Sequence, residues 1–83
     1  MGFAVLKRSV SIAGHRTSIS LEEPFWSGLR EIAEREKLSV QALIGRIDAE
    51  RGEHNLSSAI RVFVLNDLRN RLEAADQRTG GAP

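Results

Sequence analysis

Hydrophobic and polar residues alternate along residues 16–21, just ahead of a stretch with helical spacing. In an extended chain, side chains point alternately to opposite faces, so Thr17, Ile19 and Leu21 share one face of a predicted strand. The opposite face is polar and carries Arg16, Ser18 and Ser20. A lone strand leaves its backbone groups unpaired, so the pattern predicts pairing with another strand, most simply the same strand of a second copy.

A second alternating run, residues 9–12, offers a local partner for this strand. It is followed by Ala13 and Gly14, a pair that is able to turn the chain into a hairpin. The two arrangements are compatible, because a hairpin strand has two edges and the outer one is still able to pair across a dimer axis. Residues 5–12 are therefore predicted to be either a strand or a flexible arm.

Three helices are predicted after the strand. The first, at about 24–37, starts at Pro24 and carries an apolar stripe, on which Trp26 is interpreted as a core or rim anchor. The second, at about 39–51, has Ser39 as its N-cap and ends at Gly52. A glycine at position 45 inside it suggests a close helix crossing, for example against the second helix of another copy.

The third helix is predicted at about 56–72, and its segment 59–65 is apolar nearly all the way round. Such a helix is buried on more than one side, and in a short chain the second covering surface is expected from another subunit. Residues 76–83 lack apolar spacing and are predicted to be a disordered tail after a single domain at 1–75. The predicted core consists of Thr17, Ile19, Leu21, Phe25, Leu29, Ile32, Val40, Leu43, Ile44, Ile47, Ile60, Phe63 and Val64.

Composition narrows the possible functions. The chain has 83 residues, no cysteine and a formal net charge of +1, and a domain this small gains stability from association with another subunit. The segment before the first helix is basic, with Lys7, Arg8, His15 and Arg16 and no acidic residue ahead of Glu22. The absence of cysteine excludes disulfides and fits a reducing compartment, and no apolar run is long enough for a membrane span. A cytoplasmic location is expected.

Catalytic and metal-binding patterns are weak in this sequence. His15 and His54 lie in separate predicted loops, and neither is spaced to face a nucleophile or a metal. Asp48, Glu50 and Glu53 fit a charged surface better than a cation site. No enzymatic activity, metal or cofactor is expected.

The order of strand, Pro-started helix and Ser-capped helix in "RTSISLEEPFWSGLREIAEREKLSVQALIGRI" resembles the ribbon-helix-helix DNA-binding family of the Met and Arc repressor type. The resemblance covers roughly residues 16–51. It implies a mainly α fold with a short N-terminal β element, forming an intertwined homodimer with three helices per chain. In that family, two strands pair antiparallel across the dimer axis, and their polar face enters the major groove of double-stranded DNA. The resemblance thus implies a sequence-specific transcriptional regulator, by expectation a repressor.

The same resemblance suggests site residues. It assigns base contacts to Arg16, Ser18 and Ser20 and phosphate contacts to Ser39 and Val40. The basic segment before the first helix adds Lys7, Arg8 and His15 as further candidates for phosphate contacts. The turn between the first two helices departs from the family in carrying Leu38 where glycine is usual. A second register is also open, because "NLSSAIRVFVL" resembles the family's second helix as well, and it would assign the phosphate to Leu56, Ser57 and Ser58. The alternative function is a protein-interaction module of antitoxin type, with a second protein held on the third helix.

Overall fold

An antiparallel β-hairpin opens the computed structural model, which describes residues 3–80. Strand β1, Val5–Ile12, pairs with strand β2, His15–Glu22, in a register that places Val10 opposite Thr17. Ala13 and Gly14 connect them with φ of 50° and 82°, the two positive values that a tight type I′ turn requires. The predicted local hairpin is therefore present. Of the two alternatives predicted for residues 5–12, a strand or a flexible arm, the structure shows the strand.

Helix α1, Glu23–Arg35, follows β2 without a loop. At its end, the N–H of Leu38 donates to Ala33 O at 2.8 Å and Lys37 adopts φ of 58°. This bond pattern is a Schellman motif, whose left-handed position usually holds glycine. The left-handed residue of this turn is therefore Lys37, and Leu38 follows it as the half-buried apolar residue.

Helix α2, Val40–Glu50, begins at the predicted cap, since Ser39 Oγ accepts from the N–H of Ala42 at 3.0 Å. Gly52 follows its end with φ of 61°, a backbone conformation that glycine adopts without strain. The bounds of α2 thus agree with the prediction to within one residue at each end.

Helix α3 is longer than predicted and spans Leu56–Gly80. Asn55 caps it, with Oδ1 accepting from the N–H of Ser58 at 3.3 Å. The prediction that this helix ends at residue 72 is wrong. The prediction of disorder from residue 76 is also wrong for residues 76–80, which are helical. Residues 73–79 contain no glycine or proline to stop the helix. Residues 81–83, the rest of the predicted tail, lie outside the described residues.

The core lies between the inner face of the hairpin and the three helices. Of the predicted core, eight residues are buried: Ile19, Leu21, Leu29, Ile32, Leu43, Ile44, Ile47 and Ile60. Five others are only half-buried at the margin: Thr17, Phe25, Val40, Phe63 and Val64. The structure adds Val10, Trp26 and Ala33 to the buried set. Trp26 is 1% exposed, which confirms its interpretation as a core anchor.

Ion pairs attach α3 to the rest of the domain at two places. Asp67 accepts from both Arg35 of α1 and Arg71 of α3. At the other end, Arg61 Nε donates to Glu22 Oε1 at 2.9 Å, where β2 passes into α1. This hydrogen bond from Arg61 is the main cause that lowers the pKa of the Glu22 carboxyl from its ordinary value. The end of the hairpin is thereby fixed to α3.

A close approach between α1 and α3 occurs at Gly28. A Cβ atom at this position would lie 2.7 Å from Val64 Cγ1, inside van der Waals contact. By contrast, a Cβ at Gly45 would meet nothing within 4 Å. The close helix crossing within the chain is therefore at Gly28, and a contact of Gly45 with a second copy stays a prediction.

Gly28→Ala is expected to destabilise the domain by about 1–3 kcal/mol, because the added methyl overpacks the α1–α3 contact. Urea unfolding at fixed protein concentration measures the change. Gly45→Ala adds no clash within the chain, so it should be neutral or stabilising by up to about 1 kcal/mol, and destabilisation would indicate that a second copy packs on Gly45. A Gly28→Ala protein as stable as the wild type would contradict the assignment of the crossing to Gly28.

No helix among residues 3–80 combines the length and the apolar character that crossing a membrane demands.

Candidate nucleic-acid interface

The outward face of the hairpin is polar on both strands. Residues paired across an antiparallel ladder point to the same side of the sheet. Ser18 of β2 lies opposite Ser9 of β1, and Arg16 lies opposite Ser11. The outward face carries six exposed polar side chains, and the exposed apolar Val5 lies on it at the end remote from the turn; the six are Lys7, Ser9, Ser11, Arg16, Ser18 and Ser20. The three residues predicted to contact bases therefore do share one exposed face, whereas Ile19 and Leu21 between them are buried.

Among residues 3–80, no strand pairs with the outer edge of β2. The N–H of Glu23 donates to Ala4 O at 2.9 Å, which continues the ladder of the hairpin by one pair. Hydrogen-bonded and non-bonded pairs alternate in an antiparallel ladder, so the bonded residues of β2 are those at 15, 17, 19 and 21. The N–H and C=O groups of Arg16, Ser18 and Ser20 consequently point away from β1. This edge is available to another strand.

The outer edge of β1 is closed by a side chain from α2. Gln41 Oε1 accepts from the backbone N–H of Ser11 at 3.1 Å. The start of α2 thus lies beside β1, on the side of the hairpin that faces away from β2. A further strand is therefore able to join this sheet at β2 more readily than at β1.

Arg8 does not lie on the outward face. It alternates with Lys7 and points to the inner side, where its guanidinium carbon lies 5.5 Å from the centre of the Trp26 ring. Trp26 is itself oriented by its Nε1–H, which donates to Leu6 O at 3.0 Å. The structure therefore brings Lys7 to the face of Arg16, Ser18 and Ser20 but turns Arg8 away from it.

His15 is exposed at the far end of the hairpin, opposite Ile12. Its position in the alternation places it on the inner side with Thr17, where both residues border a depression that reaches Asn55 and Leu56 at the start of α3. The phosphate contacts suggested for Arg8 and His15 stay predictions, and they require the DNA to extend beyond the outward face.

The two helix starts occupy different places relative to the hairpin. At α2, the cap bond of Ser39 leaves the N–H groups of Val40 and Gln41 without an intrahelical partner, beside the outer edge of β1. At α3, the N–H groups of Leu56 and Ser57 are in the same situation, but this end lies beside the hairpin turn.

Ser9, Ser11 and Gln41 belong to this surface but were not among the predicted site residues. The positions of the two serines could be predicted from the sequence. A two-residue turn at 13–14 fixes the register of the hairpin, and this register places Ser9 beside Ser18. The contact of Gln41 had no local signal, since it joins residues 30 positions apart.

A strip of apolar side chains on α3 is exposed in the single chain. Val62 is 55% exposed and Leu65 is 49% exposed, and the strip continues through Leu68 and Leu72. Between this strip and α2 lies a groove of about 510 Å³, bordered by Ile47 and Phe63. The apolar character predicted for segment 59–65 therefore includes a face that the described part of the chain, residues 3–80, does not cover.

This architecture is a β-hairpin with a largely polar outward face, followed at once by three packed helices. The family model of the ribbon-helix-helix domain matches residues 5–68, and the chain belongs to that family. Domains of this family bind DNA and usually dimerise.

Comparison with solved structures gives a relative of the same fold. An uncharacterized protein of Bordetella pertussis Tohama I matches with a TM-score of 0.78 and 38% sequence identity. The match covers 87% of this chain and 62% of the relative's chain, so this protein spans less than two thirds of its relative. A search among curated proteins gives no match.

Proposed function

We propose that this protein is a sequence-specific transcriptional regulator that binds double-stranded DNA as a homodimer, with repression by occlusion of a promoter as its mode of action. The observation that carries the proposal is the outward exposure of Arg16, Ser18 and Ser20 on a strand whose outer edge is unpaired. Family membership supports it, because domains of this family bind DNA.

The reading element is a ribbon formed by β2 of each copy. Two β2 strands pair antiparallel through the free N–H and C=O groups of Arg16, Ser18 and Ser20, so both polar faces point the same way. A two-stranded ribbon fits the major groove of B-DNA. Arg16 is suited to bidentate contact with guanine, and serine hydroxyls bond to several base edges.

The second copy also covers the apolar strip of α3. Val62 and Leu65 are about half exposed in one chain, and a domain of 83 residues has little buried surface of its own. Burial of this strip between copies would add hydrophobic stabilisation to the backbone pairing of the ribbon.

Helix α2 is the better candidate for the phosphate-binding helix. Its free amides at Val40 and Gln41 belong to the end of α2 that borders β1 at Ser9 and Val10, and helix N-termini attract anions. Ser39 contributes by fixing the start of this helix rather than by a free hydroxyl, because its Oγ already accepts from Ala42. The alternative at Leu56, Ser57 and Ser58 lies beside the hairpin turn and is less well placed for DNA on the outward face.

Arg16→Ala is expected to weaken binding to the preferred duplex by about 1–3 kcal/mol and to relax the preferred sequence at one position per half-site. Selection from a random duplex pool, followed by gel-shift titration, measures both effects. Thermal unfolding should hardly change, since Arg16 is exposed.

Arg71→Ala is the matched control for this experiment. It also removes one exposed arginine, but Arg71 lies ten residues, roughly 15 Å of helix, beyond the Arg61 contact with the hairpin. It should leave sequence preference unchanged. An equal loss of affinity for every duplex in Arg16→Ala would make Arg16 a phosphate contact instead.

A second candidate function, a module that binds another protein, is favoured by the same exposed strip on α3. The two candidate functions predict different solvent exposure of Val62 and Leu65 in the purified homodimer. Stronger protection of α3 amides from hydrogen exchange in the homodimer than in the diluted monomer supports coverage by the second copy, and equal protection in both would favour another protein.

A further inference from the structure

Strand β1 widens the surface that the protein presents to DNA. If each copy contributed one strand, the sheet of the dimer would have two strands. Here each copy contributes a hairpin of two strands. If the copies pair through β2, the sheet has the strand order β1, β2, β2, β1. The Gln41 contact at Ser11 supports this order. Pairing of the two copies through β1 would need the outer edge of β1, and Gln41 occupies that edge.

The dimensions of the sheet separate the inner strands from the outer ones. Neighbouring strands are about 4.8 Å apart, so each β2 lies roughly 2.4 Å from the dimer axis and each β1 roughly 7 Å from it. The major groove is about 12 Å wide, so its walls lie about 6 Å from the same axis. The β2 strands therefore fit between the walls, and the β1 strands lie over them.

The outward side chains of β1 are of the types that bind phosphate groups, which form the walls of the major groove. Lys7 supplies a positive charge, and Ser9 and Ser11 supply hydroxyl donors, which are common partners of phosphate oxygens. No carboxylate interrupts the outward face before Glu22, at the end of the hairpin remote from the turn, and that carboxylate is paired with Arg61. The outward face thus offers phosphates a cation and hydroxyls without a nearby free anion.

Gln41 gives this strand a fixed position relative to α2. Its bond to the Ser11 N–H joins the outer edge of β1 to the side chain of a residue in the first turn of α2. The outer edge of β1 and the start of α2 therefore lie together on each side of the ribbon.

From these features we infer that Lys7, Ser9 and Ser11 of each copy bind the phosphates on the two walls of the major groove, while only β2 reads bases. This inference rests on the proposed function and adds a second binding role within the same sheet. It divides the hairpin into a specificity strand and an affinity strand.

The first test measures the salt dependence of DNA binding for full-length Lys7→Gln. Loss of one phosphate contact in each copy should lower the slope of log affinity against log salt by about 0.9 per contact, hence about 1.8 for the dimer. Arg71→Gln, a charge loss away from the hairpin, should leave the slope unchanged. Fluorescence anisotropy with the selected duplex between low and moderate salt gives both slopes.

The second test compares two serines that lie opposite each other in the hairpin. Ser9→Ala should weaken binding to selected and scrambled duplexes alike, by about fivefold or more for the two copies together, with no change in the selected sequence. Ser18→Ala should change the base preference in a random-pool selection. Both side chains are exposed, so neither variant should alter thermal unfolding.

The outcomes separate this inference from the proposed function. No binding of wild-type protein to any duplex overturns both. Sequence-specific binding that Arg16→Ala relaxes, together with an unchanged salt slope in Lys7→Gln and unchanged affinity in Ser9→Ala, overturns the inference alone. A changed base preference in Ser9→Ala also overturns it, because β1 would then enter the groove.

Discussion

Trp26→Ala is expected to lower the free energy of unfolding by about 3–5 kcal/mol, which is the usual cost of removing a buried tryptophan. Trp26 is 1% exposed, donates to Leu6 O and lies under the Arg8 guanidinium, so it joins α1 to strand β1. A small domain has only about 5–15 kcal/mol of stability in total, so the variant should unfold at a much lower urea concentration than the wild type. Urea titration followed by circular dichroism measures the loss.

Two further variants separate the contributions of Trp26. Trp26→Phe keeps an aromatic ring but removes the donor to Leu6, and it should cost less than the alanine variant. Phe3→Ala, at an aromatic residue that is 64% exposed, should change stability by no more than about 0.5 kcal/mol. A Trp26→Ala protein as stable as Phe3→Ala would show that α1 does not pack on β1 as described.

Ser18→Pro is expected to abolish dimer formation through β2 and to weaken DNA binding by more than about 100-fold. Proline lacks the N–H that points away from β1 at this position, and its ring obstructs a strand approaching the free edge. The hairpin itself should survive, because Ser18 makes no ladder bond to β1. Analytical ultracentrifugation gives the oligomeric state, and gel shifts give the affinity.

Ser9→Pro is the matched control for oligomeric state. Ser9 lies opposite Ser18, and its N–H likewise points out of the hairpin, but toward the edge of β1. This variant should remain dimeric at concentrations where Ser18→Pro is monomeric. A dimeric Ser18→Pro, or a loss of the dimer in both variants, would contradict pairing through β2.

Local features of the fold were predictable from the sequence. The turn at Ala13 and Gly14, the Ser39 cap and the left-handed Gly52 each depend on residues a few positions apart, and the structure confirms them. The predicted end of α3 at residue 72 is too early, because a helix continues beyond its last apolar position when no residue stops it. Residues 73–76 are exposed, yet the helix continues through them, because none of residues 73–79 is glycine or proline.

The sequence by itself determined which side chains of β2 point outward, because strict alternation leaves only one face able to bury Ile19 and Leu21. It also determined the register of the hairpin through the length of the turn. Only the tertiary structure decided which strand edge stays free, since Gln41 closes β1 from 30 residues away. It likewise decided that Arg8 lies on Trp26 rather than beside Lys7. Contacts of this kind depend on how distant elements pack, and no local pattern encodes them.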